Sequence, residues 1–193
     1  MRRVIECIIE RKISRRGRKI VLHCGNRLRD DFGVISKPMH PIYVRLASKP
    51  GHLPLGVIAV GLLDSVDGGF GFDRIFGGPD NDTIVAGDGG SIVWGGAGND
   101  TITGGTGRNW LHGGLGDDTV TGGPLRDRLW VGAGVDTENG GDGNDVLHAL
   151  FPDGQVDTLD CGPGDHDVAW IRQGEPDVVV NCEVVKTLPP TTH

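Results

Sequence analysis

Residues 68–148 fall into nine consecutive nonapeptides without insertion or deletion, beginning at Gly68, Gly77, Ala86, Gly95, Gly104, Gly113, Gly122, Val131 and Gly140. Each reads against one template, GGxGxDxUx, in which U is apolar. The sixth position is Asp73, Asp82, Ser91, Asp100, Asn109, Asp118, Asp127, Asp136 and Asp145, a carboxylate in seven of nine units. The eighth is apolar in eight of nine, Glu138 being the exception. A period this strict means that one local structure is built repeatedly and stacked.

The unit explains itself by residue type. Paired glycines allow the positive φ angles and close backbone approach of a tight turn. The three residues after the Asp, such as Thr101-Ile102-Thr103, alternate polar, apolar, polar, the pattern of a short strand with one buried face. So short a strand buries too little alone, and stability must come from neighbouring copies. The expected fold is all-β, with 24 of the 34 glycines inside the repeats and no ordinary globular core there.

These residues resemble the RTX (repeats-in-toxin, hemolysin-type) calcium-binding family, strongly over Gly68–His148. The resemblance implies a right-handed parallel β-roll, a β-solenoid of two nonapeptides per turn with terminal caps. It also implies Ca²⁺ between the turn segments of repeats n and n+2, held by aspartates and backbone carbonyls, an oxygen donor set that suits a hard cation. Alternate units then fall on opposite edges. One edge carries Asp82, Asp100, Asp118 and Asp136, which make three adjacent carboxylate pairs. The other carries Asp73, Ser91, Asn109, Asp127 and Asp145, where only Asp127 and Asp145 pair, and sites around Ser91 and Asn109 are expected to be weak or empty. Asp80, Leu125 and Val131 replace turn glycines, and because Leu125 lies in a repeat of the Asp127/Asp145 pair, that site ranks below the other three.

Charge agrees with cation binding. The net charge is −7, but residues 1–50 hold 13 Lys/Arg against four Asp/Glu, whereas residues 51–193 hold six against 22. The repeats are therefore not expected to bind nucleic acid. A lone surface Asp is usually a solvated turn residue, but stacked carboxylates about 4.8 Å apart repel by roughly 1 kcal/mol even in water. Ca²⁺ would relieve that repulsion, and binding energy would become folding energy.

The outward strand positions also sort by edge. One face reads Thr83/Val85, Thr101/Thr103, Thr119/Thr121 and Thr137/Asn139. The other reads Arg74/Phe76, Ile92/Trp94, Trp110/His112, Arg128/Trp130 and Val146/His148. The aromatic face exposes more apolar surface than a solvated row needs. Either a terminal segment of the chain covers it, or a glycan or protein partner docks on Trp94, Trp110 and Trp130. His112 and His148 read as surface histidines. Glu138 at a core position is costly, so its repeat is expected to fray or rotate, weakening the Asp118/Asp136 site.

Three regions follow: a basic leader over 1–58, poorly ordered or an imperfect signal region; the calcium-binding roll over 59–148; and degenerate repeats with a C-terminal cap over 149–193. The apolar run Leu53–Leu63 has signal-peptide length and is too short to span a bilayer. The ending Asp157-Thr158-Leu159-Asp160-Cys161-Gly162-Pro163-Gly164 is similar to that of secreted bacterial hemolysin-type proteins. Of Cys7, Cys24, Cys161 and Cys182, the favoured pair is Cys161 with Cys182, both in the cap, two free thiols being the alternative. No HExxH, GxSxG or P-loop occurs. The expectation is a secreted, extracellular bacterial monomer that binds calcium and is not an enzyme. An adhesion module and the C-terminal part of a larger exported enzyme are the alternatives.

Overall fold

The structure, a computed structural model, describes residues 65–190 in full and, before them, only the backbone of four strands: β1 (Val4–Ser14), β2 (Gly17–Cys24), β3 (Tyr43–Arg45) and β4 (Ile58–Ala59). Apart from the backbone of β4, the signal-length run Leu53–Leu63 lies outside the described residues, as do the side chains of Cys7 and Cys24. Fourteen further strands alternate between two sheets. The first sheet contains β5 (Ser65–Asp67), β7 (Thr83–Gly87), β9 (Thr101–Gly105), β11 (Thr119–Gly123), β13 (Thr137–Gly141), β15 (Thr158–Asp160) and β17 (Val178–Val180). The second contains β6 (Arg74–Gly78), β8 (Ile92–Ala97), β10 (Trp110–Leu115), β12 (Arg128–Trp130), β14 (Val146–Ala149), β16 (Val168–Arg172) and β18 (Val184–Leu188).

From β5 to β18 neighbouring strands within each sheet are parallel, and up to β14 they are offset by two nonapeptides, so Ile84 faces Ile102 and Leu111 faces Leu129. This is a parallel β-roll. Its core is built mainly from Val66, Ile84, Ile102, Val120 and Leu159 of the first sheet and Ile75, Val93, Leu111, Leu129, Leu147 and Ala169 of the second, with Ala86, Val131, Ala149 and Cys161 beside them. Each fully buried Ile or Leu contributes about 2 kcal/mol. Two such residues per turn make a thin core, and the turns between strands must supply part of the stability.

The sheets approach closely enough that the turns have no room for side chains. Gly96 has φ of 126°, and a β-carbon there would overlap the Gly78 carbonyl of the preceding turn. Only glycine meets both demands.

Two expectations change. Glu138 does not fray its strand: β13 keeps register, with Glu138 between Val120 and Leu159 and fully buried. Backbone hydrogen bonds on both sides outweigh one unfavourable side chain. Burial pushes its pKa well up, and although the His148 amide lies near enough to favour the charge, neither oxygen makes a hydrogen bond. The C-terminal segment, for its part, does not fold back over the aromatic face; β15 to β18 continue the roll. Cys161 and Cys182 form a disulfide between successive turns, with Cα atoms 5.2 Å apart. At the last turn Val185, in register with Ala169, is 49% exposed.

Candidate calcium-binding turns

From Ser91 and Asp100 onward, each sixth-position side chain points inward and reaches back to the turn before. On the first edge the Asp82 amide donates to Asp100 Oδ1 at 2.8 Å, the Asp100 amide to Asp118 Oδ1 at 2.8 Å, and the Asp118 amide to Asp136 Oδ1 at 2.7 Å. On the second edge Ser91 Oγ accepts from the Asp73 amide, Asn109 Oδ1 from Ser91, Asp127 Oδ1 from Asn109 and Asp145 Oδ1 from Asp127. All nine residues are buried. They are therefore not solvated turn residues: in seven of the nine, one oxygen replaces water for an amide of the previous turn.

The other oxygen is the informative one. Oδ2 of Asp100, Asp118, Asp136 and Asp145 is buried without a hydrogen-bond partner. A β-carbon built on Gly95 would overlap Asp100 Oδ2 and the Gly113 carbonyl oxygen, and one on Gly113 would overlap Asp118 Oδ2. In these turns a carboxylate oxygen lies close against the glycine, joined at Gly95 by the Gly113 carbonyl oxygen. Burial raises the carboxyl pKa values, with neighbouring carboxylates adding to the effect: Asp118 and Asp145 to about 7, Asp136 to about 6. Burial likewise raises Asp73 and Asp127 to about 6, and Asp100 upward.

A family model described as the RTX calcium-binding nonapeptide repeat matches residues 63–93, 94–129 and 126–147. This segment is an RTX repeat array. No match was found among curated proteins or solved structures.

The chemistry of the RTX turns fits Ca²⁺. A hard cation takes six to eight oxygen ligands, many of them backbone carbonyls, and among the described residues no three His, Cys, Asp or Glu side chains converge on one point. Any ion here draws most of its ligands from the backbone. The turn at 131–136 differs, because buried Val131 stands where its neighbours have glycine.

The hydrogen-bonded ladders continue beyond the strict period. The Asp136 amide donates to Asp157 Oδ1, Asp157 to Asp177, Asp145 to Asp167, and Asp167 to Glu183. The first rungs across residues 149–156 are 21 or 22 residues apart, against 18 within the array. A second ladder, on the fifth position, also went unread. Asn81 Oδ1 accepts from the Asn99 amide, Asn99 from Asp117, and Asp117 from Val135. Asn81-Asp82, Asn99-Asp100 and Asp117-Asp118 were its signal.

The aromatic face packs on itself. Phe76 and Trp94 stack at 4.4 Å with ring planes 2° apart, and His148 stacks on Trp130 at 4.7 Å and 9° and parallel to Trp170 at 6.5 Å. Trp110, 51% exposed, meets Trp130 edge-on under the Arg128 guanidinium, and the Lys186 ammonium sits 4.7 Å from the Trp170 ring centre. The stacked rings turn their faces toward one another, which hides much of the apolar area a cover would have hidden. His112 and His148 are half-buried, and desolvation lowers both pKa values.

Proposed function

We propose that this protein is a secreted, non-enzymatic calcium-binding β-roll in which Ca²⁺ drives folding and stability. One observation carries the reading: buried carboxylate oxygens without partners, facing backbone carbonyl oxygens, recur turn after turn. Such an arrangement of oxygens is self-repelling, and a divalent cation converts the repulsion into attraction. The ions would lie in the turns of Asp82/Asp100, Asp100/Asp118 and Asp118/Asp136, with a further one at Asp127/Asp145 and Asp73 extending that edge. Bound Ca²⁺ would supply charge neutralisation and a link between successive turns. The chain's own part is to bury each carboxylate, hold it by the preceding amide, and keep side chains out of the space. Secretion is supported by the Cys161–Cys182 disulfide, which persists in oxidising compartments, and outside the cell calcium is abundant.

Equilibrium dialysis against radioactive calcium tests this. The expected result is saturable uptake of several ions per chain that equimolar Mg²⁺ does not displace, since Mg²⁺ gives up its waters reluctantly. Absence of saturable uptake would defeat the proposal.

A further inference from the structure

We propose that the side-chain amide of Asn109 takes the place that a cation takes in the aspartate turns, so that the turn of residues 104–109 closes without Ca²⁺ and admits none. The inference rests on the calcium reading above and concerns one residue's departure from it. Asn109 is fully buried. Its Nδ2 donates toward three oxygens, Gly105 O at 3.2 Å, Gly107 O at 2.9 Å and Asp127 Oδ1 at 3.1 Å. Its Oδ1 accepts the Ser91 amide at 3.1 Å, which fixes the end of the group that carries the nitrogen.

The comparison with Asp100 shows what the substitution does. Both side chains accept the amide of the preceding turn through Oδ1. At the other branch Asp100 presents an oxygen without a donor, whereas Asn109 presents an NH₂ toward its own turn's carbonyls and the next rung's carboxylate. Oxygen facing oxygen requires a cation between them; nitrogen facing oxygen makes hydrogen bonds. Three convergent oxygen contacts from one neutral group reproduce the pattern of an ion bridging two turns.

The neighbours are consistent with a closed stretch. Each Asp127 oxygen already accepts a backbone amide, Oδ1 that of Asn109 at 2.6 Å and Oδ2 that of Gly123 at 2.5 Å, which leaves a lone pair on Oδ2 for an ion at Asp127/Asp145. Asp145, the next rung, again leaves Oδ2 unpartnered. The break in the ladder at Asn109 is therefore a rung with its own internal clamp.

The test is the calcium count of the full chain by native mass spectrometry at saturating Ca²⁺, for the parent protein and for N109D. Aspartate restores the second oxygen, so N109D is expected to bind one ion more per chain and to melt at a lower temperature in EGTA. N109A, which removes the clamp without adding a carboxylate, is expected to melt lower with the parent's calcium count. An unchanged count in folded N109D overturns the proposal. Should N109D fail to fold, crystals of the parent protein soaked in a lanthanide decide: no anomalous peak between the 104–109 and 122–127 turns supports it, and a peak there overturns it. A parent count of zero would overturn the calcium reading itself, and this proposal with it.

Discussion

Asp118→Ala is expected to remove roughly two calcium ions from the saturated protein, because Asp118 borders both the Asp100 turn and the Asp136 turn. Each ion at a hundred times its dissociation constant contributes about 2.7 kcal/mol to the folded state. The substitution also strands the buried Asp100 amide, whose acceptor is Asp118 Oδ1, a further cost of about 1–3 kcal/mol. Thermal melts in calcium should therefore show the largest loss among single aspartate variants of this edge. Asp118→Asn separates the two contributions. It keeps an oxygen for the Asp100 amide and offers an NH₂ to the carbonyls of its turn, as Asn109 does, so calcium is lost while the melt in EGTA is preserved. An unchanged ion count in either folded variant would place the calcium elsewhere.

Glu138→Leu is expected to stabilise the protein, by about 1–4 kcal/mol near neutral pH. The native carboxyl is fully buried with no hydrogen bond and has its pKa raised by desolvation. A group whose pKa is higher in the folded than in the unfolded state favours folding at low pH and opposes it as pH rises. The gain from Leu should accordingly be large at about pH 8 and shrink toward about pH 4, where the acid is protonated in both states. Urea denaturation at the two pH values measures it, and a gain independent of pH would show that packing alone is responsible. The aspartate ladder follows the same sign. With Asp118 and Asp145 near 7, the calcium-free roll should gain stability as pH falls from about 7 toward 4, while protons compete with calcium over the same window.

Much of this was legible from spacing alone. A fixed period of nine assigned every apolar eighth-position residue from Ile75 to Leu147 to the correct sheet, because any slip would have turned apolar residues outward, but it did not show that Ala86 and Val131 join the core. What spacing does not carry is the identity of a partner. Asp157, Asp167, Asp177 and Glu183 join the ladders only because the inserted residues bulge away and let register resume, and Trp170 joins the aromatic column for the same reason. Asn109 read as a gap in a carboxylate series, since its residue type shows a missing charge but not the three oxygens its amide would find. The aromatic face read as a surface needing cover, because composition counts rings without giving their planes.

The most direct test of the account is far-UV circular dichroism during a calcium titration of the full chain at about pH 7.5, followed by EGTA. Unpartnered carboxylate oxygens in successive turns predict that β-structure is gained as calcium is added and lost when it is chelated. A spectrum that holds the same β-signal throughout would contradict the central claim, since the turns would then close without the cation their oxygens face.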